Sequence, residues 1–189
     1  MKLLFVIDMQ NDFIDGVLGS PEAQAIVPKV AEKIKNANNV IFTSDTHGKS
    51  YFKTEEGKHL PIAHCIKGSK GILINSTVFN AAKNGEKNIF IFQKETFGYP
   101  WNLERDFFGD ALPLFKNNLE EIDLNKIEEI EIIGLDTDFC VLANAMTLKA
   151  AFPNVPITID ASCCAGSTPE WHEKALDILE HCHFNVINR

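Results

Sequence analysis

The run 129-EIEIIGLDTDFCVLANAMTLKAA-151 passes from a short apolar stretch, through Gly134 and a polar turn, into a segment with the residue content of a helix. A strand buried on both faces and followed by a helix is the repeating half-unit of a parallel α/β sheet. The rest of the chain repeats it. KLLFVID (2 to 8), NVIFTSD (39 to 45), NIFIFQK (88 to 94), PITIDA (156 to 161) and FNVINR (184 to 189) read as further strands. Helices are expected at about 21 to 37, where Ser20 caps and Pro21 takes the first position, at 75 to 84, from near 138, and at 169 to 182. Strands alternating with helices imply a doubly wound (Rossmann-like), mostly parallel sheet with helices on both faces. No repeat, low-complexity tract or linker divides the 189 residues, so a single domain over 1 to 189 is expected.

In such sheets ligands bind beyond the carboxyl ends of the strands, where strand order reverses. That rule gathers residues far apart in sequence onto one rim: Asp8 after the first strand, Asp45 and His47 after the second, Lys94 after the third, and Cys140 beyond Gly134. A helix starting at Thr137 or Asp138 would place Cys140 in its first turn, where unpaired N–H groups and the helix dipole favour a thiolate. An apolar strand carries Asp8 deep into the rim, where burial raises a carboxyl toward the range of a general base. Lys94 would hold that acid ionised and favour the thiolate. The three make chemical sense together and little sense singly.

Composition limits the partners. The net charge of −8 opposes nucleic acid and anionic lipid, which need a basic footprint. Only five apolar residues precede Asp8, too few for a signal-peptide core or a membrane span, so a cytoplasmic location is expected. Five cysteines without a CxxC spacing read as free thiols. A small-molecule substrate fits these features; a homo-oligomer is neither required nor excluded.

The segment 45-DTHGKSYFKTEEGKHLPIAHC-65 offers Asp45, His47, Glu55, Glu56, His59 and His64. Its D-x-H start puts two divalent-metal donors on one side of an extended backbone. Phe13, Phe97, Tyr99 and Trp101 follow rim strands and are placed to stack on a planar substrate. His172, His181 and His183 read as surface or packing residues, Asp12 and Asp15 as turn acids.

With these positions in hand, the chain resembles the isochorismatase-like cysteine hydrolases, and within them the nicotinamidases. The matching pieces are VIDMQNDF (6 to 13), SDTH (44 to 47), PIAHCIKGSKG (61 to 71), KETFG (94 to 98) and GLDTDFCV followed by ANA (134 to 145). TIDASCCAGSTPEWHEKAL (158 to 176) looks like the family's last strand and helix. The resemblance implies a catalytic triad of Asp8, Lys94 and Cys140, an oxyanion hole from the backbone N–H groups of Asp136 and Cys140, and hydrolysis of a small amide through a thioester. It also implies a cis peptide between Leu135 and Asp136. A divalent metal, zinc in many members, is implied on Asp45, His47, Glu56 and His64, with His59 as the alternative to Glu56. Phe13, Phe97 and Tyr99 would line the substrate pocket.

Two departures stand out. The aromatic that many nicotinamidases carry before the PxHC motif is replaced by His59-Leu60-Pro61-Ile62, and Asp136 stands where a small residue or cysteine is usual. Asp136 is expected to turn away from the sulfur, and Asp138 to cap the helix. A metal-free hydrolase of another amide, ureido or vinyl-ether substrate is the alternative within the family. An aspartyl phosphatase would want an acid two residues after Asp8, where Gln10 stands. A non-enzymatic interaction module would not need the triad.

Overall fold

A computed structural model describes residues 1–85, 87–101, 112–113 and 124–189. The strands are β1 (Lys2–Ile7), β2 (Asn39–Asp45), β3 (Asn88–Lys94), β4 (Leu112–Pro113), β5 (Glu129–Leu135), β6 (Ile157–Ala165) and β7 (Asn185–Ile187). The helices are α1 (Asn11–Ile14), α2 (Pro21–Lys35), α3 (Glu55–His59), α4 (Ser76–Lys83), α5 (Leu142–Ala151) and α6 (Pro169–His181). Among the described residues the sheet has the order β4-β3-β2-β1-β5-β6-β7, and every pairing is parallel except β3 with β4.

The continuous apolar run of β1 is explained by two cores. Leu3, Phe5 and Ile7 face one side, packing with Val141, Ala145 and Leu148 of the α5 region and Leu176 and Leu179 of α6. Leu4 and Val6 face the other, against Ile26, Val30 and Ile34 of α2 and Val78 of α4. Alternate side chains of a strand point to opposite faces, so a strand covered by helices on both sides must be apolar throughout. α2 shows the complementary pattern, with Ala23, Ile26, Val30, Ala31 and Ile34 buried at helical spacing. Ser20 accepts the Ala23 N–H at 3.0 Å and Pro21 starts the helix, as expected.

Lys33 anchors α2 to the sheet. Its ammonium lies 2.5 Å from Glu131 and 2.7 Å from Asp160, two acids that the fold buries. Lys2 meets the other oxygen of Glu131 at 2.7 Å. Buried carboxylates without such partners would destabilise the fold, so the cluster is a requirement of α2 packing on β5 and β6.

Strand order reverses on either side of β1, which lies between β2 and β5. The carboxyl ends of these three strands and of β3 therefore share one rim. Gly134 shapes it: the residue has φ +122°, pairs with Ile7, and sits where β5 slips register against β6. A Cβ there would lie 2.1 Å from the Ile7 carbonyl oxygen, so only glycine lets β1 and β5 approach so closely just before the chain turns toward Cys140. No helix among the described residues is long and apolar enough to cross a membrane.

Candidate active site

Asp8, Lys94 and Cys140 meet at this rim. The Lys94 ammonium is 2.6 Å from Asp8 Oδ2 and donates to Cys140 Sγ at 3.5 Å. All three are buried, Asp8 at 0% exposure, which places their charges in a medium where pairing decides protonation. The Thr43 hydroxyl donates to Asp8 Oδ1 at 2.7 Å, fixing the carboxylate's second oxygen. Asp8 itself has φ +44°, an uncommon conformation for a residue with a side chain and of the kind found where function demands it.

Burial pushes the Cys140 thiol well above its ordinary range; the Lys94 cation pulls it down, and Asp8 and Asp45 push it up further. Burial likewise raises the Asp8 carboxyl, against the opposing pull of Lys94. Burial would lower the Lys94 ammonium, but Asp8, Cys140 and Asp45 together hold it charged. The resting trio is thus a neutral thiol beside an acid and a permanent cation.

Cys140 does not sit in the α-helix that the sequence suggests from residue 138. A π turn over Thr137–Val141 precedes α5, closed by Val141 N–H to the Asp136 carbonyl at 3.0 Å. The physical reason lies in the two side chains expected to cap. Thr137 shares a hydrogen bond of 2.8 Å with His172 Nδ1, and Asp138 accepts from the Ser167 N–H at 2.8 Å and the Ser167 hydroxyl at 2.5 Å. Neither is left to cap, and neither the π turn nor α5 has a side-chain cap. The expectation that Asp138 caps its own helix is corrected, and His172, expected as a surface or packing residue, packs here through its hydrogen bond to Thr137. The cis peptide expected at Leu135–Asp136 is also absent: the described peptide bonds are all trans.

Asn144, one α-helical turn beyond Cys140, donates to the Cys140 carbonyl at 2.8 Å and to the Phe97 carbonyl at 3.0 Å, while its oxygen accepts the Tyr99 N–H at 3.0 Å. It ties the segment after Lys94 to the turn that carries Cys140. Sequence reasoning overlooked it; the single amide side chain in α5 was the available signal.

Asp136, half-buried, has no hydrogen bond or ion pair to its carboxylate among the described residues, and it makes none with Cys140. Burial, with repulsion from Asp138 and Asp8 and an opposing pull from His64, pushes it up to about 7. A carboxyl raised above its unfolded value of about 3.9 costs stability progressively from pH ~4 to ~7 and by a constant amount above. Asp136→Asn should therefore stabilise the protein at pH 8 by about 2 kcal/mol, allowing for partial exposure, and leave it nearly unchanged at pH 4. Equal gains in melting temperature at both pH values would overturn this account.

A second cluster lies next to the trio. Asp45, His47, Glu56 and His64 each direct one donor atom inward, and the four atoms all lie within 4.8 Å of one another. His47 Nε2 is 2.8 Å from Asp45 Oδ2 and 3.5 Å from Glu56 Oε1; His64 Nε2 is 3.3 Å and 3.4 Å from the same two oxygens. His64 Nδ1 bonds the Ile62 carbonyl at 2.8 Å, which directs Nε2 to the centre. Glu56 arrives on α3, a short helix capped by Thr54. His59, at the other end of that helix, is exposed and lies outside the cluster.

Electrostatics give the four residues the character of ligands. Burial would lower both imidazoles, but the Asp45 and Glu56 carboxylates carry His47 up to about 9 and His64 up to about 10. Against the opposing effect of burial, the imidazoles hold Glu56 at about 2 and Asp45 below the usual carboxylate range. His47 Nε2 is buried with no hydrogen-bond partner despite the carboxylates beside it. A divalent cation would replace the two extra protons, satisfy that orphaned nitrogen and neutralise both acids. The donor set of two nitrogens and two carboxylates fits zinc and its neighbours.

Two further residues support this cluster. Gln10, fully buried, accepts the Asp45 N–H at 2.7 Å and donates to the Asp45 carbonyl at 2.8 Å. Asp12 accepts the Cys65 N–H at 2.7 Å, holding the backbone just after His64. The aromatic candidates separate. Phe13 is buried edge-on to His64, ring centroids 5.4 Å apart, beside the cluster. Phe97 is exposed and stands against Phe139 at 5.3 Å. Tyr99 packs on Trp101 and Phe92 at 4.6 Å and 5.0 Å, at the edge of the core.

The Isochorismatase domain family model matches residues 2–189. The nicotinamidase of Saccharomyces cerevisiae is 22% identical over 226 aligned residues, which cover 100% of both chains. The solved pyrazinamidase/nicotinamidase from Streptococcus mutans has a TM-score of 0.72 at 22% identity, covering 99% of this chain and 100% of that one. The pyrazinamidase of Pyrococcus horikoshii in complex with zinc has a TM-score of 0.69 at 22% identity, covering 100% and 99%.

Proposed function

Because this chain belongs to the isochorismatase domain family, we propose that it is a metal-containing cysteine amidohydrolase that converts nicotinamide, or a small primary amide like it, to the acid and ammonia. The observation that carries the reading is the meeting of Lys94 with both Asp8 and Cys140 at 2.6 and 3.5 Å, beside a four-donor cluster on the same rim. That cluster also favours the metal-containing form over the metal-free alternative. The relatives named nicotinamidase and pyrazinamidase support the substrate class.

In this mechanism Asp8 accepts the Cys140 proton, while Lys94, which contacts both groups, stabilises the thiolate. The sulfur attacks the carbonyl carbon, forming the C–S bond, and the carbonyl electrons move to oxygen. Backbone N–H groups of Asp136 and Cys140 would hold that oxyanion. Asp8 returns the proton to the amide nitrogen as the C–N bond breaks and ammonia leaves. Asp8 then takes a proton from water, whose oxygen attacks the thioester; the C–S bond breaks and the sulfur leaves as thiolate, reprotonated for the next cycle.

Asp45, His47, Glu56 and His64 would hold the metal, which when bound supplies a Lewis acid able to fix a heteroaromatic ring nitrogen. Phe13, beside His64, and the exposed Phe97, against Phe139, would be the aromatic surfaces that bound a planar ring, and Tyr99 would contribute through the backbone N–H that Asn144 holds. Free cysteines throughout suit a reducing cytoplasm.

The test is ammonia release by the zinc-loaded protein from nicotinamide, pyrazinamide and benzamide. Nicotinamide turnover with kcat/KM above about 10⁴ M⁻¹s⁻¹ is expected. Benzamide, which lacks the ring nitrogen, should be at least ~10-fold poorer, the loss of one polar contact in a buried site. No ammonia from any primary amide would sink the reading.

A further inference from the structure

The turn that carries Cys140 is held from outside its own helix. Asp136 holds the N-cap position without a side-chain cap bond, and Thr137 and Asp138, the residues expected to cap, reach across to the start of α6: Thr137 Oγ1 to His172 Nδ1 at 2.8 Å, Asp138 Oδ1 to the Ser167 N–H at 2.8 Å, and Asp138 Oδ2 to the Ser167 hydroxyl at 2.5 Å. Thr137 is fully buried, and among the described residues its hydroxyl is bonded to that imidazole. Gly166 permits the approach. A Cβ there would lie 2.8 Å from Asp138 Oδ1 and 2.9 Å from the His172 backbone nitrogen. The helix that follows is itself well anchored, with Thr168 capping α6 and Leu176 and Leu179 fully buried. α6 is thus a rigid element braced on the core, and the π turn is fastened to it at two points.

We propose that His172 and Ser167 are positioning residues for the nucleophile, acting through Thr137 and Asp138 to hold the π turn so that Cys140 Sγ stays on Lys94. The proposal rests on the thiol-hydrolase reading of the site. Its physical basis is the absence of any side-chain cap within the turn: with the latch gone, nothing local keeps the Asp136–Val141 bond geometry from relaxing to an ordinary helical turn, which would rotate the sulfur relative to Lys94 and Asp8. Displacements of about 1 Å at a reacting atom cost on the order of 100-fold in rate. Within the turn Asn144 bonds the carbonyl of Cys140, and its other bonds go to Phe97 and Tyr99, so it does not constrain residues 136 to 138.

Three variants test this: His172→Leu, His172→Asn and Ser167→Ala. The asparagine side chain can place a polar atom near the position of Nδ1 and so renew the bond to Thr137. For His172→Leu, kcat for nicotinamide should fall ~10- to 100-fold with KM changed less than ~3-fold, and His172→Asn should recover most of the loss. Ser167→Ala, which deletes one exposed hydroxyl and leaves the fold intact, should lower kcat ~3- to 10-fold. Independently of any amide, the rate at which iodoacetamide alkylates Cys140 at pH 7.5, read site by site by mass spectrometry, should fall at least ~3-fold in His172→Leu and Ser167→Ala as the sulfur draws away from Lys94. Unchanged Cys140 alkylation in Ser167→Ala and in the folded fraction of His172→Leu would overturn the proposal. Altered alkylation in a protein that hydrolyses no amide would leave the latch standing and sink only the substrate reading.

Discussion

Asp8→Asn should all but abolish amide hydrolysis while making Cys140 easier to alkylate at neutral pH. The two effects run in opposite directions because Asp8 does two things. As a base and then an acid it carries a proton through each half of the proposed reaction, and losing such a group costs about 10³-fold in turnover. As a buried negative charge it also pushes the Cys140 thiol up, against the pull of Lys94. Asparagine removes that charge and leaves the Lys94 ammonium 3.5 Å from the sulfur, with Asp45 at 3.8 Å as its remaining carboxylate. The thiolate then becomes the natural counterion. Breaking a buried pair by removing one partner costs about 3–5 kcal/mol, so folding is verified by circular dichroism before rates are compared. Lys94→Met gives the mirror image: Asp8 loses the cation that keeps it ionised, and turnover and alkylation fall together. An Asp8→Asn protein that keeps turnover within ~10-fold of the parent, or alkylates more slowly, would remove Asp8 from the mechanism.

The part of this arrangement that sequence makes legible is the part governed by strand periodicity. β2 and β3 begin and end at the residues expected, Asn39–Asp45 and Asn88–Lys94, because each is a seven-residue, mostly buried run closed by a charged residue at the rim, with Gln93 of β3 exposed. Once the strands are placed, the rim rule brings Asp8, Asp45, Lys94 and Cys140 together without any knowledge of loops. Loops carry what was missed. α3 is a five-residue helix whose cap, Thr54, is followed by two acids; the signal is present but too short to separate from an ordinary polar loop. The π turn was unreadable for another reason. Whether Thr137 and Asp138 cap their own helix or bond to α6 depends on a partner 29 or more residues away, and local propensity holds no information about that choice. Gln10 and Asn144 belong to the same class. Each is a buried amide whose worth lies in satisfying backbone groups of another element.

The largest effect outside the trio should come from the metal cluster. Zinc affinity, measured by competition with a chromophoric chelator, should fall by more than ~100-fold in His47→Ala and in His64→Ala, and should be unchanged in His59→Ala. The first two remove nitrogens that face the centre, one of them an orphaned buried atom. The third removes an exposed side chain outside the cluster. Glu56→Ala should fall with the histidines, which makes the pair Glu56 and His59 a direct comparison of the two fourth ligands. Gln10→Leu is the finer probe. Its amide bonds backbone groups, holding both the N–H and the carbonyl of Asp45, so affinity should drop about 10-fold through a ligand that is still present but less well aimed. If His59→Ala weakened zinc as much as Glu56→Ala, or if the parent protein held no ion, the four donors would be a network of two protonated imidazoles on two carboxylates and nothing more. That network alone would leave two buried positive charges beside Lys94. The four donors would then only balance one another beside the Lys94–Asp8 pair, and the reason for gathering four donor atoms within 4.8 Å would be gone.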